Sequence, residues 1–222
     1  MSTAGGGLAL FDLDGTLVDS APDIADAVDI ALAAVGRAPL GEDQVRGMIG
    51  NGAVRLMHRA LTGTRDEDAE PTLHATAYAH FVDAYQPRVY QRTRLFPGVA
   101  EVLATLGARG WALGVVTNKP ARFTVPLLEQ AGIAQHFAVT LSGDSLPTKK
   151  PDPAPLLHAA AQVAAPLEKV VMVGDSLADL HAAQNAGVRA ICVSFGYHGG
   201  ADLGAAGAER VIDDFRDLLE IL

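Results

Sequence analysis

Four apolar residues, Leu8 to Phe11, run directly into two aspartates one residue apart, in Phe11-Asp12-Leu13-Asp14-Gly15-Thr16-Leu17-Val18-Asp19-Ser20. A run this short and this apolar reads as a buried strand. Two carboxylates placed so closely beside buried apolar residues repel each other, and they call for a cation or a shared proton. The spacing suits Mg²⁺, which takes oxygen ligands in a tight octahedron and often bridges to a phosphate. A calcium EF-hand loop does not fit, because glycine falls at the fourth position instead of the sixth and no glutamate stands at the twelfth. A plain turn accounts for Asp14-Gly15 but leaves Asp12 unexplained.

After Ser20 the texture changes. Ile24, Val28, Leu32 and Val35 share one helical face, with Pro22 suited to the first turn and Gly36 to the stop. Further helices are expected over Asp43 to Ile49, Ala53 to Leu61 and Asp66 to Tyr85, with no strand between Ser20 and about Pro87. Beyond Phe96-Pro97-Gly98, helices and strands alternate. Strands are expected at Trp111–Thr117, Phe137–Leu141, Val170–Val173, Ala190–Ser194 and Arg210–Ile212. Helices are expected at Val99–Arg109, Pro120–Ala131, Pro153–Ala164, Leu177–Ala186 and Phe215–Leu222. Apolar runs joined through helices indicate a parallel sheet covered on both faces, and right-handed crossovers make it doubly wound. The expected organisation is therefore an α/β core of residues 1–20 and 88–222, with a helical insertion at 21–87.

Bulk properties narrow the function classes. The chain has 222 residues and a formal net charge of −9, without the basic stripe of a nucleic-acid binder. The single cysteine, Cys192, excludes an intramolecular disulfide framework and any multi-thiolate zinc site. Met1 to Gly7 lacks a basic segment followed by an apolar one, so no secretory leader is expected. No apolar run approaches the roughly 20 residues of a membrane span. A cytoplasmic protein without nucleic-acid or membrane partners is the expectation. The seven histidines (His58, His74, His80, His136, His158, His181 and His198) show no metal-ligand spacing.

Asp12, Thr117 and Asp175 each follow the C-terminal end of an apolar strand, the edge at which open α/β sheets bind ligands. Asp175, in Gly174-Asp175-Ser176-Leu177-Ala178-Asp179, can cap the following helix, which leaves Asp179 without a purpose. Gly174-x-Ser176 is not a serine-hydrolase elbow, because Ala178 stands where that motif needs glycine. Thr117 either ends its strand or holds a phosphate oxygen with its hydroxyl and the following N–H groups. Lys150 is either a solvated loop residue or, stiffened by Pro151, a fixed cation offsetting carboxylates and phosphate. Lys149 serves equally on charge alone.

These segments, in this order, resemble the haloacid dehalogenase superfamily of phosphatases and phosphotransferases. Asp12 to Thr16 match its Asp-x-Asp-x-Thr motif, Thr117 its strand-ending serine or threonine, Lys150 its lysine, and Gly174 to Asp179 its acidic loop. Leu95-Phe96-Pro97-Gly98-Val99, Val116-Thr117-Asn118-Lys119-Pro120, Lys149-Lys150-Pro151-Asp152-Pro153, Phe195-Gly196-Tyr197 and Ile49-Gly50-Asn51-Gly52 narrow the resemblance to the bacterial phosphoglycolate phosphatases.

The resemblance implies a Rossmann-like core whose helical insertion is a small cap domain. It implies Asp12 as nucleophile, Asp14 as acid and base, and Thr117, Asn118 and Lys150 as holders of the phosphate. It implies Mg²⁺ held by the Asp12 side chain, the Asp14 backbone carbonyl and Asp175, with Asp179 in support. From the cap, Gly50, Asn51 and Gly52 are expected to offer N–H groups to the substrate, and Arg55 to meet its carboxylate. A glycine turn and an exposed helical arginine explain the same residues without function. The expected activity is hydrolysis of a small phosphorylated acid, 2-phosphoglycolate first, by a monomer or homodimer. A phosphatase of another small metabolite phosphate and a sugar phosphomutase are the alternatives. A haloacid dehalogenase has no use for Asp14.

Overall fold

The computed structural model describes Gly6–Leu222; Met1–Gly5, most of the stretch read above for a leader, lie outside the described residues. Six parallel strands form the main sheet in the order β5-β4-β1-β6-β7-β8. They are β1 (Leu8–Phe11), β4 (Ala112–Val116), β5 (Val139–Leu141), β6 (Val170–Gly174), β7 (Arg189–Val193) and β8 (Arg210–Ile212). Successive strand residues point to opposite faces, so a strand buried on both sides must be apolar throughout. All four residues of β1 are fully buried. Ala9 and Phe11 join the apolar cluster on one face, while Leu8 and Leu10 join the one on the other. The helices α5 (Val99–Ala108) and α6 (Ala121–Gln130) contribute to the first cluster, and α7 (Ala154–Gln162) and α8 (Leu177–Ala186) to the second. The doubly wound α/β core is as the sequence predicts.

Strand order reverses at β1, which lies between β4 and β6. The chain leaves β1, adds β4 and then β5 on one side, and crosses over to build β6, β7 and β8 on the other. This switch point opens a crevice beyond the C-terminal strand ends. Asp12 stands at its centre.

Between the strand β2 (Val18–Asp19) and the strand β3 (Arg94–Leu95) run four helices: α1 (Ala21–Ala34), α2 (Glu42–Arg46), α3 (Ala53–Thr62) and α4 (Pro71–Tyr85). β2 and β3 pair antiparallel, Val18 opposite Leu95 and Asp19 opposite Arg94, where no strand was expected for Val18–Asp19. Two-residue strands carry no periodicity to read. Helix α4 starts at Pro71 instead of Asp66, because Glu70 accepts hydrogen bonds from the Thr72 and Leu73 N–H groups at 2.8 and 2.7 Å and Pro71 takes the first turn. The chain ends in a 3₁₀ turn, Phe215–Asp217, and the short helix α9 (Leu218–Ile221).

Two buried anchors fix where the helices leave and rejoin the sheet. The Asp23 carboxylate, at the start of α1, accepts from the Thr93 N–H at 2.8 Å and the Thr93 hydroxyl at 2.7 Å, just before β3. The Tyr197 hydroxyl, from the loop after β7, accepts from the Ser20 N–H at 2.8 Å and the Ala21 N–H at 3.1 Å, and donates to Asp19 at 2.6 Å. No helix among the described residues is long and apolar enough to cross a membrane.

Candidate active site

The ends of β1, β4 and β6 deliver carboxylates and a hydroxyl to the crevice because each strand stops being apolar at its last turn. The backbone N–H of Asp12 still bonds Val173 O at 2.9 Å, so its side chain continues the strand's orientation. Asp12, Asp175 and Asp179 each offer an oxygen within 4.8 Å of the others, and all three are buried. Burial pushes the Asp12 carboxyl up to about 6, against the pull of Lys150 and with Asp179 and Asp14 adding to the rise. Burial, Asp179 and Asp12 hold Asp175 well above the ordinary carboxylate range. Three buried carboxylates with one facing ammonium are underneutralised, and a divalent cation with a preference for oxygen ligands fits that donor set.

The ammonium is that of Lys150, 2.6 Å from Asp179 Oδ1 and 2.9 Å from Asp12 Oδ1. Burial disfavours its charge, but Asp12 and Asp179 more than offset this and hold its pKa above the ordinary value. The shorter hydrogen bond goes to Asp179, and the ammonium forms a second ion pair with Asp12 Oδ1. Lys149 faces elsewhere, its ammonium donating to Asn51 O at 2.9 Å.

Asp179 orients more than it offers. Its Oδ1 takes Lys150, and its Oδ2 takes the Ser176 N–H at 3.1 Å and the Ser176 hydroxyl at 2.6 Å at the start of α8. Asp175 accepts from the Thr16 hydroxyl at 3.0 Å and from the Tyr197 N–H at 2.5 Å. The loop carrying Tyr197 approaches so closely that a Cβ on Gly196 would collide with Asp175 Cβ and Gly15 O.

Asp14, expected as acid and base, has its carboxyl already engaged. Its carboxylate accepts from Ser20 Oγ at 2.5 Å and from Lys119 Nζ at 2.9 and 3.1 Å. Lys119 also donates to the Tyr85 hydroxyl of α4 at 2.7 Å, and its ammonium lies 4.7 Å from the Tyr85 ring centroid. Sequence reasoning quoted Lys119 in the strand-end motif but gave it no role. Its position two residues beyond Thr117 was the available signal. Thr117 is buried, and its hydroxyl oxygen accepts from the Lys119 N–H at 3.2 Å.

A cleft lies between these residues and the helical layer, lined by Asp12, Asp14, Thr117, Asn118 and Lys119 and walled by apolar residues including Ile24, Leu56 and Phe123. Gly50 and Gly52 reach it, with positive φ of 121° and 86° that a side chain would resist. Asn118 Nδ2 donates to Gly50 O and to Lys150 O, both at 3.0 Å, tying the layer's glycine turn to the two core loops. Asn51 turns away, its side-chain oxygen accepting from Arg59 at 2.7 Å. Arg55 stands apart as well. Its guanidinium pairs with Asp68 at 2.9 Å and lines a separate cleft with Asn51, Arg59, Arg65, Asp66 and Lys149. The expected meeting of Arg55 with a substrate carboxylate has no geometry here to support it.

A Rossmann-like sheet with its acidic loop at the switch point, a strand-end threonine and a buried lysine defines a class, and the chain belongs to it: the haloacid dehalogenase-like hydrolases, whose family pattern it matches over residues 9–193. Within that family it is 42% identical to a phosphoglycolate phosphatase of Nitrosococcus oceani, over 97% of this chain and 96% of that one. It is 44% identical to a phosphoglycolate phosphatase of Pseudomonas putida, covering 96% of this chain and 78% of that one. The crystal structure of a predicted phosphoglycolate phosphatase from Haemophilus somnus superimposes with a TM-score of 0.92, at 34% identity and with 99% of both chains covered. The chain is accordingly an enzyme, a phosphoglycolate phosphatase-like hydrolase.

Proposed function

We propose that the protein is a Mg²⁺-dependent phosphomonoesterase that hydrolyses 2-phosphoglycolate to glycolate and phosphate through a phosphoaspartyl intermediate on Asp12. The observation that carries the reading is the cluster of three buried carboxylates, Asp12, Asp175 and Asp179, at the switch point, with Lys150 2.9 Å from Asp12. Relatives named for this activity at above 40% identity supply the substrate.

Phosphate monoesters resist water so strongly that enzymes accelerate their hydrolysis by up to roughly 10²¹. Asp12 attacks phosphorus in line, forming the acyl phosphate as the ester bond breaks. Asp14 gives a proton to the departing alkoxide and later takes one from the water that opens the acyl phosphate. Thr117, the Asn118 backbone N–H and Lys150 meet the equatorial oxygens as their charge spreads. Asp12, the Asp14 carbonyl and Asp175 would hold Mg²⁺, with Asp179 fixing Lys150 beside them; the ion supplies charge neutralisation and polarises the phosphoryl oxygens. Residues 21–87 act as the cap, excluding bulk water from the cleft.

The test is phosphate release across small phosphorylated metabolites, with Mg²⁺ and then with chelator. Release from 2-phosphoglycolate that is lost on chelation and abolished in a folded Asp12→Asn variant is expected. Retained turnover in that variant refutes covalent catalysis by Asp12, and interconversion of isomers without phosphate release indicates a mutase.

A further inference from the structure

We propose that Lys119 is the receptor for the substrate's carboxylate, and that it accepts that carboxylate in exchange for the one it holds now, Asp14's. The inference rests on the phosphatase reading above and extends it to what selects the substrate.

The geometry starts from the cleft. Among the described residues that line it, Lys119 is the only cation; the other side chains are the two aspartates, Thr117, Asn118, Tyr85 and apolar groups. In a 2-phospho acid the carboxyl carbon lies two bonds, about 2.5 Å, beyond the ester oxygen. Its receptor therefore has to stand within about 6 Å of that oxygen, allowing one carboxylate bond and one hydrogen bond of ordinary length. The ester oxygen must also be in reach of the proton carrier, Asp14, so the receptor is a close neighbour of the Asp14 carboxylate. Lys119 Nζ is 2.9 Å from it. Arg55, the residue first expected to do this, lines the other cleft.

The exchange keeps the ammonium paired. Lys119 is 6% exposed and sits against the apolar wall of the cleft, where an ammonium without an anion is costly. Asp14 and the Tyr85 hydroxyl satisfy it when no substrate is bound. An arriving carboxylate replaces Asp14 on the ammonium one for one. Asp14, still held by Ser20 and no longer facing an ammonium, is then released to take up a proton from water and turn toward the ester oxygen, to which it gives that proton. A phosphate ester that lacks a carboxylate leaves Asp14 bound to Lys119. Selectivity thus arises in two ways: through the ion pair that the right substrate makes, and through the acid that the wrong substrate fails to free.

The experiment compares kcat/KM for 2-phosphoglycolate with that for ethyl phosphate, which has the same chain length and no carboxylate. Lys119→Met is expected to lower the ratio of the two about 10- to 100-fold, the worth of one hydrogen bond to a charged group. Lys119→Arg should restore part of it, and Arg55→Met should keep the wild-type ratio. An equal loss on both esters, or an unchanged ratio, overturns the assignment and leaves Lys119 a structural residue. A second measurement does not depend on any variant folding: a crystal structure of the wild-type protein with 3-phosphonopropionate, the non-hydrolysable isostere. Its carboxylate should lie within hydrogen-bond distance of Lys119 Nζ, with Asp14 displaced; a carboxylate directed at the Gly50 turn or at Arg55 refutes the exchange. If the wild-type enzyme releases phosphate from neither ester, the phosphatase reading itself falls and takes this inference with it.

Discussion

Lys150 and Asp179 form the tightest ion pair of the crevice, 2.6 Å between Nζ and Oδ1, with side chains only 1% and 2% exposed. Asp179 in turn is clamped by Ser176 at the start of α8. The lysine is therefore aimed by a helix terminus on one side of the sheet while it serves the aspartate at the end of the central strand.

Removing that ammonium should cost more than one contact. Lys150→Met leaves Asp12, Asp175 and Asp179 facing one another with no cation. Breaking a buried pair in this way destabilises by about 3–5 kcal/mol. Urea denaturation of the chelated protein should show the loss, Mg²⁺ should recover part of it, and phosphate release should be abolished. Stability equal to wild type in chelator would show that the lysine does not neutralise the cluster.

Gly196→Ala tests the close approach of the Tyr197 loop. The new Cβ would overlap Asp175 Cβ and Gly15 O, neither of which is the far end of a flexible side chain. Overpacking of this kind costs about 1–3 kcal/mol. The urea midpoint should fall and the concentration of Mg²⁺ needed for half-maximal activity should rise. A variant with wild-type values of both would mean that the loop yields without disturbing Asp175.

The chelated protein should lose stability as pH rises from about 4 to about 6. Asp12 binds its proton more tightly in the fold, with a pKa of about 6 against the ordinary 3.8. The folded state therefore carries more protons than the unfolded one across that window, and its contribution is full below the ordinary value and gone above the raised one. A difference of roughly two pH units corresponds to about 3 kcal/mol as an order of magnitude. Asp175 shifts in the same direction. Asp19, Asp214, Glu70 and Glu209 are shifted down and act in the opposite sense, at the low end of this window and below it, as His58, shifted down from 6.5, does at its top. Urea midpoints in chelator at about pH 4 and about pH 7 decide it, and Mg²⁺ should narrow the gap. Greater stability at the higher pH without metal would sink the idea.

Asn118→Ala removes one amide that serves two carbonyls, Gly50 O in the helical layer and Lys150 O in the core. The expected stability cost is about 1–3 kcal/mol, that of leaving buried acceptors without donors. KM for 2-phosphoglycolate should rise more than kcat falls, since the tie positions the cleft's wall and not the nucleophile. Steady-state kinetics reporting a loss confined to kcat would contradict this.

The sheet was legible in the sequence because buried parallel strands have no choice of pattern: Leu8 to Phe11 and Val170 to Val173 had to be apolar on both faces. Asp12, Thr117 and Asp175 were legible for the same reason, as polar residues placed where such a run stops. The β2–β3 pair escaped notice because two residues on each side leave nothing periodic, and the start of α4 was misplaced because Glu70 was not recognised as its cap. Lys119 and Arg55 are the more instructive pair. Sequence ranks cations by motif and by proximity to glycine turns, whereas which face of a loop or helix meets the cleft depends on how α4 lies against α6 and the loop after β4. Lys119 turned inward and Arg55 outward, and only packing decides between them.

Tyr197 uses its backbone N–H for Asp175 and its hydroxyl for the point at which the chain departs toward α1. A single residue thus stands at the pivot of the helical layer and at the edge of the carboxylate cluster. Loss of the ring would free the chain's departure toward α1, and displacement of the loop would strip Asp175 of its N–H donor, so one residue carries both duties.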